Sequence, residues 1–172
     1  MEFTLRNIDE RTVSLDDFRD RAIIVVVFTC NHCPYAIAYE RRLVELQARF
    51  AEQGVQFIAI NPNDAQKYPE DSFARMQDRH AQRGFNFPYL HDESQDIARA
   101  YGAQRTPHVF MLARQADSSL RKVYQGGIDD DYQDARAVKE TWLADAIQAT
   151  LAQPDRPLQE TLAVGCSVKW KN

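Results

Sequence analysis

The chain has 172 residues, of which 44% are apolar and 27% charged, and its formal charge is −4. This balance is typical of one globular domain that buries its core without disulfide or metal staples. Residues 1–86 carry 11 basic and 13 acidic side chains and residues 87–172 carry 10 and 12, so no basic region is present to bind nucleic acid. No apolar run approaches the roughly 20 residues of a membrane span, and no secretory signal is recognisable. We therefore expect a cytoplasmic protein without membrane or nucleic-acid partners.

The first third of the chain predicts a ribbon, a buried strand and a helix. Residues 3–18 read as a short β-ribbon. The run Ala22–Thr29 is apolar without alternation, which predicts a central strand buried on both faces. A helix is expected from about Asn31 to Glu52, with Gly54 as its C-terminal cap. Its apolar face has helical spacing and consists of Tyr39, Leu43, Leu46 and Phe50.

The middle of the chain predicts two more strands and two helices. Val55–Asn61 is the second core strand, and a helix is expected to begin at Ser72 and to end before Gly84. A short strand over Phe87–Leu90 comes next. The following helix is expected to have Asp92 as its cap, with Gln95 in the capping-box position and Gly102 as terminator.

The last third predicts a strand pair, a helix and a tail. Val109–Leu112 and Lys122–Gly126 form the pair, and the acidic run at residues 129–131 is expected to be a solvated loop. A helix is predicted from about Ala135 to Leu151, followed by an extended tail over residues 152–172. Alternating strands and helices indicate parallel pairing, and the closing strand pair adds antiparallel strands.

The chemistry is concentrated in a Cys-x-x-Cys motif, Cys30 and Cys33, between the buried strand and the first helix. A helix N-terminus exposes unpaired N–H groups and the positive end of its dipole, and both favour a thiolate. The thiolate is the form that attacks a disulfide or a peroxide. We predict that Cys30, at an exposed corner, attacks, and that Cys33, one turn into the helix, resolves the mixed disulfide.

The residues around the motif support redox chemistry. A charged His32 beside the thiols would lower the thiol pKa and make the couple more oxidising. Pro34 is compatible with the first helical turn, where a proline breaks no hydrogen bond. The alternatives are an inert buried pair and a structural zinc site. Zinc needs about four ligands, and no second Cys-x-x-Cys or His-x-x-x-His is present, so no metal is predicted.

A second motif, Thr106-Pro107, stands directly before the strand Val109–Leu112. Proline is rare at the head of a core strand, and a cis Thr-Pro bond would turn the chain so that the Thr106 backbone lies beside the Cys-x-x-Cys. The exposed N–H and C=O of Thr106 would then pair with an incoming peptide. The alternative is an ordinary trans proline that opens an edge strand.

The two motifs resemble the thioredoxin superfamily. The ribbon with Val13-Ser14-Leu15-Asp16-Asp17-Phe18 resembles the N-terminal extension of the peroxiredoxin and TlpA-like branch. The tail residues 164–170 are similar to those of AhpC/TSA proteins with a thioredoxin-type CxxC. The resemblance covers about Phe3 to Leu151. It implies one thioredoxin-like domain over residues 1–172, an α/β fold with a central mixed β-sheet flanked by helices and an N-terminal β-ribbon.

The resemblance implies a thiol–disulfide oxidoreductase without an organic cofactor. Its substrate would be a protein or a low-molecular-weight thiol or disulfide, with a reductase that the sequence does not identify. Thr106 and Pro107, with His32 and Pro34, would shape the site. Ordinary thioredoxins have Trp before the first cysteine and Gly-Pro between the two, whereas this chain has Thr29 and Asn31-His32.

An alternative activity is that of a thiol-dependent peroxidase. Peroxiredoxins resemble P-x-x-x-T-x-x-C. If Cys33 is matched to the peroxidatic cysteine, the Thr and Pro positions hold Cys30 and Val26. If Cys30 is matched, they hold Val27 and Ile23. Neither register supplies the Thr hydroxyl, and Arg105 is the candidate cation for a peroxide.

A non-enzymatic alternative is a redox-sensing module or a copper or zinc site. His108 follows Pro107, and together with the two cysteines of the motif and His32 it would make a soft ligand set.

Cys166 stands alone in the tail, in Gly165-Cys166-Ser167. One interpretation is a small buried side chain that attaches the tail to the body. The other is a third redox thiol that takes over the disulfide from the motif. A disulfide to Cys30 or Cys33 requires Cα atoms within roughly 7 Å.

Overall fold

The structure is a computed structural model that describes residues 2–172. Its helices are α1 (Pro34–Phe50), α2 (Phe73–Arg83), α3 (Asp96–Tyr101) and α4 (Trp142–Ala152). Its strands are β1 (Thr4–Asn7), β2 (Thr12–Ser14), β3 (Ile23–Phe28), β4 (Val55–Asn61), β5 (Tyr89–His91), β6 (Arg105–Thr106), β7 (His108–Arg114), β8 (Leu120–Gly126), β9 (Gln159–Glu160) and β10 (Cys166–Ser167). Within residues 2–172, every helix is too short or too polar to cross a bilayer.

Eight strands form one mixed sheet in the order β2-β1-β5-β4-β3-β7-β8-β9. In the middle, β3 pairs in parallel with β4 and antiparallel with β7. The β1–β2 ribbon joins the sheet where β1 pairs antiparallel with β5. The predicted central mixed sheet and N-terminal ribbon are confirmed.

All six residues of β3 are buried, because helices cover the sheet on both faces. Val25 and Val27 belong to the core cluster that includes side chains of α1, α2 and α4. Ile24 and Val26 belong to the cluster on the opposite face, together with side chains of α3. Burial on both faces explains why the sequence of β3 shows no alternation. Strand β3 is therefore packed on both faces and hydrogen-bonded along both edges. This fixes the position of Cys30, which follows its carboxyl end.

Helix α1 begins at Pro34, three residues later than predicted. Proline disfavours helical geometry in the residue before it, and Cys33 accordingly has extended backbone angles, φ −72° and ψ 125°. Cys33 is thus the N-cap of α1, not a residue one turn inside it, and Cys30 lies in the loop after β3. Pro34 itself occupies the first helical position, which lies within the first turn where a proline was expected to be tolerated.

Helix α4 begins at Trp142 rather than near Ala135. Three aspartates in the preceding loop accept backbone N–H groups that a helix would otherwise use: Asp130 from Lys139 and Glu140, Asp131 from Gln133 and Asp134, and Asp134 from Arg136. Such local bonds compete with helix formation. The predicted helix start is therefore wrong by seven residues.

Helix α3 begins at Asp96, later than expected from its predicted cap, Asp92. The Asp92 carboxylate accepts the N–H groups of Ile97 and Ala98, so it does cap the helix. The capping box with Gln95 is wrong, because Gln95 has a left-handed φ of 69° and its side chain donates to the carbonyls of Pro62 and Lys169.

The acidic run is not simply solvated. The Asp129 carboxylate is 8% exposed and accepts hydrogen bonds from Arg42, itself 13% exposed, and from the Tyr39 hydroxyl. Arg42 also donates to the carbonyls of Asp131 and Tyr132. The loop before α4 is thereby attached to α1.

Replacing Asp129 by alanine is expected to destabilise the fold by about 2 kcal/mol, because it leaves the buried Arg42 charge with carbonyl partners only. Urea unfolding measures the loss. Asp20, whose side chain is 77% exposed, supplies the matched control, and Asp20→Ala is expected to stay within about 0.5 kcal/mol of the wild type. Equal losses in the two variants would contradict a structural role for the Arg42–Asp129 pair.

The tail is built into the fold. After α4, β9 extends the main sheet parallel to β8, and β10 pairs antiparallel with β6 in a separate two-stranded sheet. Near its end, the Trp170 ring lies under the Arg99 guanidinium, 4.4 Å from carbon to ring centroid. The predicted extended tail therefore includes two short strands, of which β9 lies beside β8 and β10 lies beside β6.

Candidate active site

The two motif cysteines are free thiols at the junction of β3 and α1. Both are buried, with Cys30 2% and Cys33 0% exposed. The prediction that Cys30 lies at an exposed corner is therefore wrong. The side chains that pack around them are the buried Ala36 and the partly buried Tyr35 and Cys166.

The second predicted motif meets the first. The Thr106–Pro107 peptide bond is cis, which confirms the prediction. Thr106 is fully buried, with its hydroxyl 3.4 Å from Cys30 Sγ. The Cys33 thiol donates to the Thr106 carbonyl at 3.3 Å. Residues more than 70 positions apart in the chain thus form one site around two sulfur atoms.

The edge of Thr106 is not open to an incoming peptide. Cys166 of β10 is its antiparallel partner, and Ser167 pairs with Arg105. The prediction of exposed Thr106 backbone groups is therefore wrong in this structure, because the chain's own tail occupies that edge. The same pairing brings the third cysteine to the first two.

The three cysteines lie in one cluster, in which the partly buried Cys166 packs against the buried Cys30 and Cys33. The Cys30 and Cys166 thiols and the backbone N–H groups of Ala36 and Cys166 all favour the charged form of Cys33. The Cys30 thiol, followed by these other donors, holds the pKa of Cys33 well below its usual range. The bond to Cys33, then burial and the charge of Asp71, raise the pKa of Cys30. Burial raises the pKa of Cys166 to about 11. Of the two motif thiols, Cys33 is therefore the one whose ionised form the site favours.

We expect the reduced protein to keep one thiolate at neutral pH. Since the pKa of Cys33 is lowered, its thiolate absorbance at 240 nm should persist as the pH falls from 8 and disappear only in acid. The comparison is with the oxidised protein and with Cys33→Ser, which should lose the acid step. A single midpoint near the ordinary thiol value of about 8.5 would contradict the hydrogen-bonding scheme.

A buried carboxylate, Asp71, completes the site, and sequence reasoning missed it. Asp71 is 0% exposed. It accepts the backbone N–H of Asn31 at 2.6 Å, the side-chain amides of Asn61 and Asn63 at 3.2 and 2.9 Å, and His32 Nδ1 at 2.5 Å. It lies in a short 3₁₀ turn, Pro69–Asp71, which the sequence presents only as loop. The available signal was a pair of side-chain amides, Asn61 and Asn63, at the end of a buried strand.

His32 faces this carboxylate and stacks on Tyr68, with ring centroids 5.4 Å apart. Ligand atoms of Cys30, His32 and Asp71 all lie within 4.8 Å of one another. His32 is thus near the first thiol, as predicted, but its partner is an acid whose charge opposes the Cys30 thiolate.

The soft metal set proposed from the sequence is not assembled as predicted. His108 Nδ1 instead accepts the backbone N–H of Gln104, and its ring packs against Phe110 with centroids 4.5 Å apart. Burial lowers the pKa of His108 to about 4. Arg105, the candidate cation for a peroxide, is exposed on β6.

The sequence model of the AhpC/TSA family matches residues 1–124, which include the Cys-x-x-Cys and the Thr106–Pro107 bond. The chain belongs to the AhpC/TSA family. This confirms the resemblance inferred from the motifs.

Relatives of this AhpC/TSA chain include a named enzyme. The thiol-disulfide oxidoreductase ResA of Halalkalibacterium halodurans is 25% identical over 130 residues, which are 76% of this chain and 68% of ResA. An uncharacterized conserved protein from Geobacillus kaustophilus is 38% identical, with a TM-score of 0.84 over 99% of this chain and 89% of that one. A thioredoxin-family thiol:disulfide interchange protein from Chlorobium tepidum, 15% identical with a TM-score of 0.64 over 87% and 93%, is similar in fold alone. The thioredoxin-like fold is confirmed.

Proposed function

We propose that this chain is a thiol–disulfide oxidoreductase that cycles Cys30 and Cys33 between dithiol and disulfide. The observation that carries the proposal is the contact of both sulfurs with the buried Thr106, and the lowered pKa of Cys33 supports it. The similarity to ResA, a thiol-disulfide oxidoreductase by name, supports the same reaction class.

The reaction is a pair of disulfide exchanges. The Cys30 proton passes to Cys33, and the Cys30 thiolate attacks one sulfur of the substrate disulfide, whose other sulfur leaves as a thiolate. Cys33, after losing that proton, attacks Cys30 Sγ and releases the second substrate sulfur. Two electrons have then moved from the dithiol to the substrate. The pair gives up the one proton that it held, which one substrate thiolate takes up, and the other substrate thiolate takes a proton from water.

The substrate class we favour is a polar disulfide, either a low-molecular-weight one or one within a protein. A cleft of about 410 Å³ lies beside Asn31 and His32, and its wall includes Glu70, Arg75 and Arg79. Charged groups of both signs suit a polar peptide-like molecule better than an apolar ligand. A cytoplasmic location, which we expect from the sequence, would provide the thiols that reduce the Cys30–Cys33 disulfide again.

Insulin reduction in the presence of dithiothreitol tests the proposal. We expect the protein to accelerate insulin precipitation above the dithiothreitol background, and to consume hydrogen peroxide more slowly than it reduces insulin. The reason is that neither register of the motif supplies the Thr hydroxyl of a peroxiredoxin. Peroxide consumption that exceeds insulin reduction would overturn the proposal in favour of the peroxidase alternative.

A further inference from the structure

The tail crosses the active site as a strand, and its placement is specific. The Cα atoms of Cys166 and Thr106 are register partners in an antiparallel pair, a geometry in which such atoms lie about 4.5–5.5 Å apart. Thr106 is the residue whose hydroxyl and carbonyl contact Cys30 and Cys33. The pairing therefore places Cys166 against the cluster that contains Cys30 and Cys33.

Hydrogen bonds hold the tail residues that follow Cys166 in place. Val168 is 3% exposed and donates its N–H to the Gln104 carbonyl at 3.1 Å. Lys169 donates its N–H to Asn63 Oδ1 at 2.9 Å and accepts the N–H of Asp64 at 2.9 Å. This segment is thus part of the packed structure, and Asn63 links it directly to the carboxylate network of the site.

Gly165 is the residue that lets the tail approach. A Cβ at this position would lie 2.3 Å from the Thr106 carbonyl oxygen and 2.8 Å from its carbon, and both are backbone atoms that cannot rotate away. Only glycine permits the observed distance. Gly165 thus provides a way to displace the tail without touching a thiol.

We propose that Cys166 is a third redox-active thiol, which takes the disulfide from the Cys30–Cys33 pair and carries it to the surface. The proposal rests on the oxidoreductase function above. In the oxidised protein, the Cys166 thiolate attacks Cys33 Sγ. The Cys33–Cys166 bond forms, the Cys30–Cys33 bond breaks, and Cys30 leaves as a thiolate that takes up the proton lost by Cys166. No electrons enter or leave the chain in this step.

The exposure of the three thiols explains what the step achieves. Cys30 and Cys33 are almost inaccessible, whereas Cys166 is partly exposed. A dithiol reductant reaches the partly exposed Cys166 Sγ more readily than the inner pair. One of its thiols attacks Cys166 and releases Cys33 as a thiol, and its second thiol then displaces Cys166 and closes a cyclic disulfide. The substrate and the reductant would then react at different sulfur atoms, Cys30 and Cys166.

The test uses the full chain with Cys30→Ser, reduced and then treated with glutathione disulfide. Cys33 and Cys166 should lose two electrons to one glutathione disulfide and form an internal bond. After trypsin digestion without reductant, mass spectrometry should find the peptide of residues 22–41 joined to that of residues 140–169 as the main oxidised product. Separate glutathione adducts on the two cysteines, without the joined peptide, would overturn the proposal.

Gly165→Ala in the same Cys30→Ser background is the matched variant, since it keeps both thiols. It should lower the yield of the joined peptide at least about fivefold, because misplacing a reacting group by about 1 Å is costly. An unchanged yield, with thermal unfolding showing an intact fold, would overturn the role of the strand pairing.

The outcome is separable from that of the proposed function. Wild-type protein that reduces insulin while Cys30→Ser forms no joined peptide would refute the third thiol alone. A joined peptide in a protein that does not reduce insulin would refute the proposed activity and leave the internal exchange intact.

Discussion

Cys33→Ser is expected to lower the rate of insulin reduction at least about a hundredfold and to leave the substrate bound to Cys30. The pKa of Cys33 is lowered, so its replacement removes both the thiol that ionises most readily and the group that displaces the substrate. The mixed disulfide on Cys30 then has no neighbour within the motif to resolve it. Non-reducing gels and intact mass measure the trapped species directly.

Cys30→Ser is the matched control, because it removes one sulfur of the same pair. It should be equally inactive but should carry no adduct on residue 30, and its oxidised form should be the Cys33–Cys166 species. The assignment of roles would be reversed if Cys33→Ser kept turnover while Cys30→Ser trapped substrate stably on Cys33. Comparing the two variants thus shows which sulfur attacks the substrate. Burial does not distinguish the two thiols, because both are almost fully buried.

The sequence predicted those parts of the fold that are long and uniformly apolar. The residues of β3 and β4 were recognisable because both strands are buried in the middle of the sheet. The starts of helices α1 and α4 were not predicted correctly. Pro34 forces extended geometry on Cys33, and the side chains of a run of aspartates replace the first turns expected of α4. Such effects depend on one or two side chains and leave no periodic signal.

The parts of the site that lie in recognisable sequence motifs were predictable from the sequence. Cys30, Cys33 and the Thr106–Pro107 bond lie together as expected. The closure of the site by the tail was not predicted, since β6 and β10 have two residues each and pair across about 60 positions of the chain. Asp71 was missed for a similar reason, because its four hydrogen-bond donors come from two distant segments of the chain, residues 31–32 and 61–63.

Asp71→Asn is expected to destabilise the protein by about 3 kcal/mol. The carboxylate has two acceptor oxygens and four donors around it: Asn31 N–H and the Asn61 amide on Oδ1, and His32 Nδ1 and the Asn63 amide on Oδ2. An amide offers one oxygen and turns an NH₂ group toward the remaining two donors. Buried donors without acceptors cost about 1–3 kcal/mol each, and the side chain is fully buried. Urea unfolding of the reduced protein measures the loss.

Glu70→Gln makes the same chemical change one residue earlier, on an exposed side chain, and should alter the stability by less than about 0.5 kcal/mol. The two variants should also differ at the thiols. Asp71 raises the pKa of Cys30 through its charge, so Asp71→Asn should lower that pKa, whereas Glu70→Gln should not. The pH dependence of iodoacetamide labelling of Cys30, in a Cys33→Ser background, reports the shift. Equal stability and equal labelling profiles in the two variants would show that Asp71 neither holds the loop beside the motif nor acts on its first thiol.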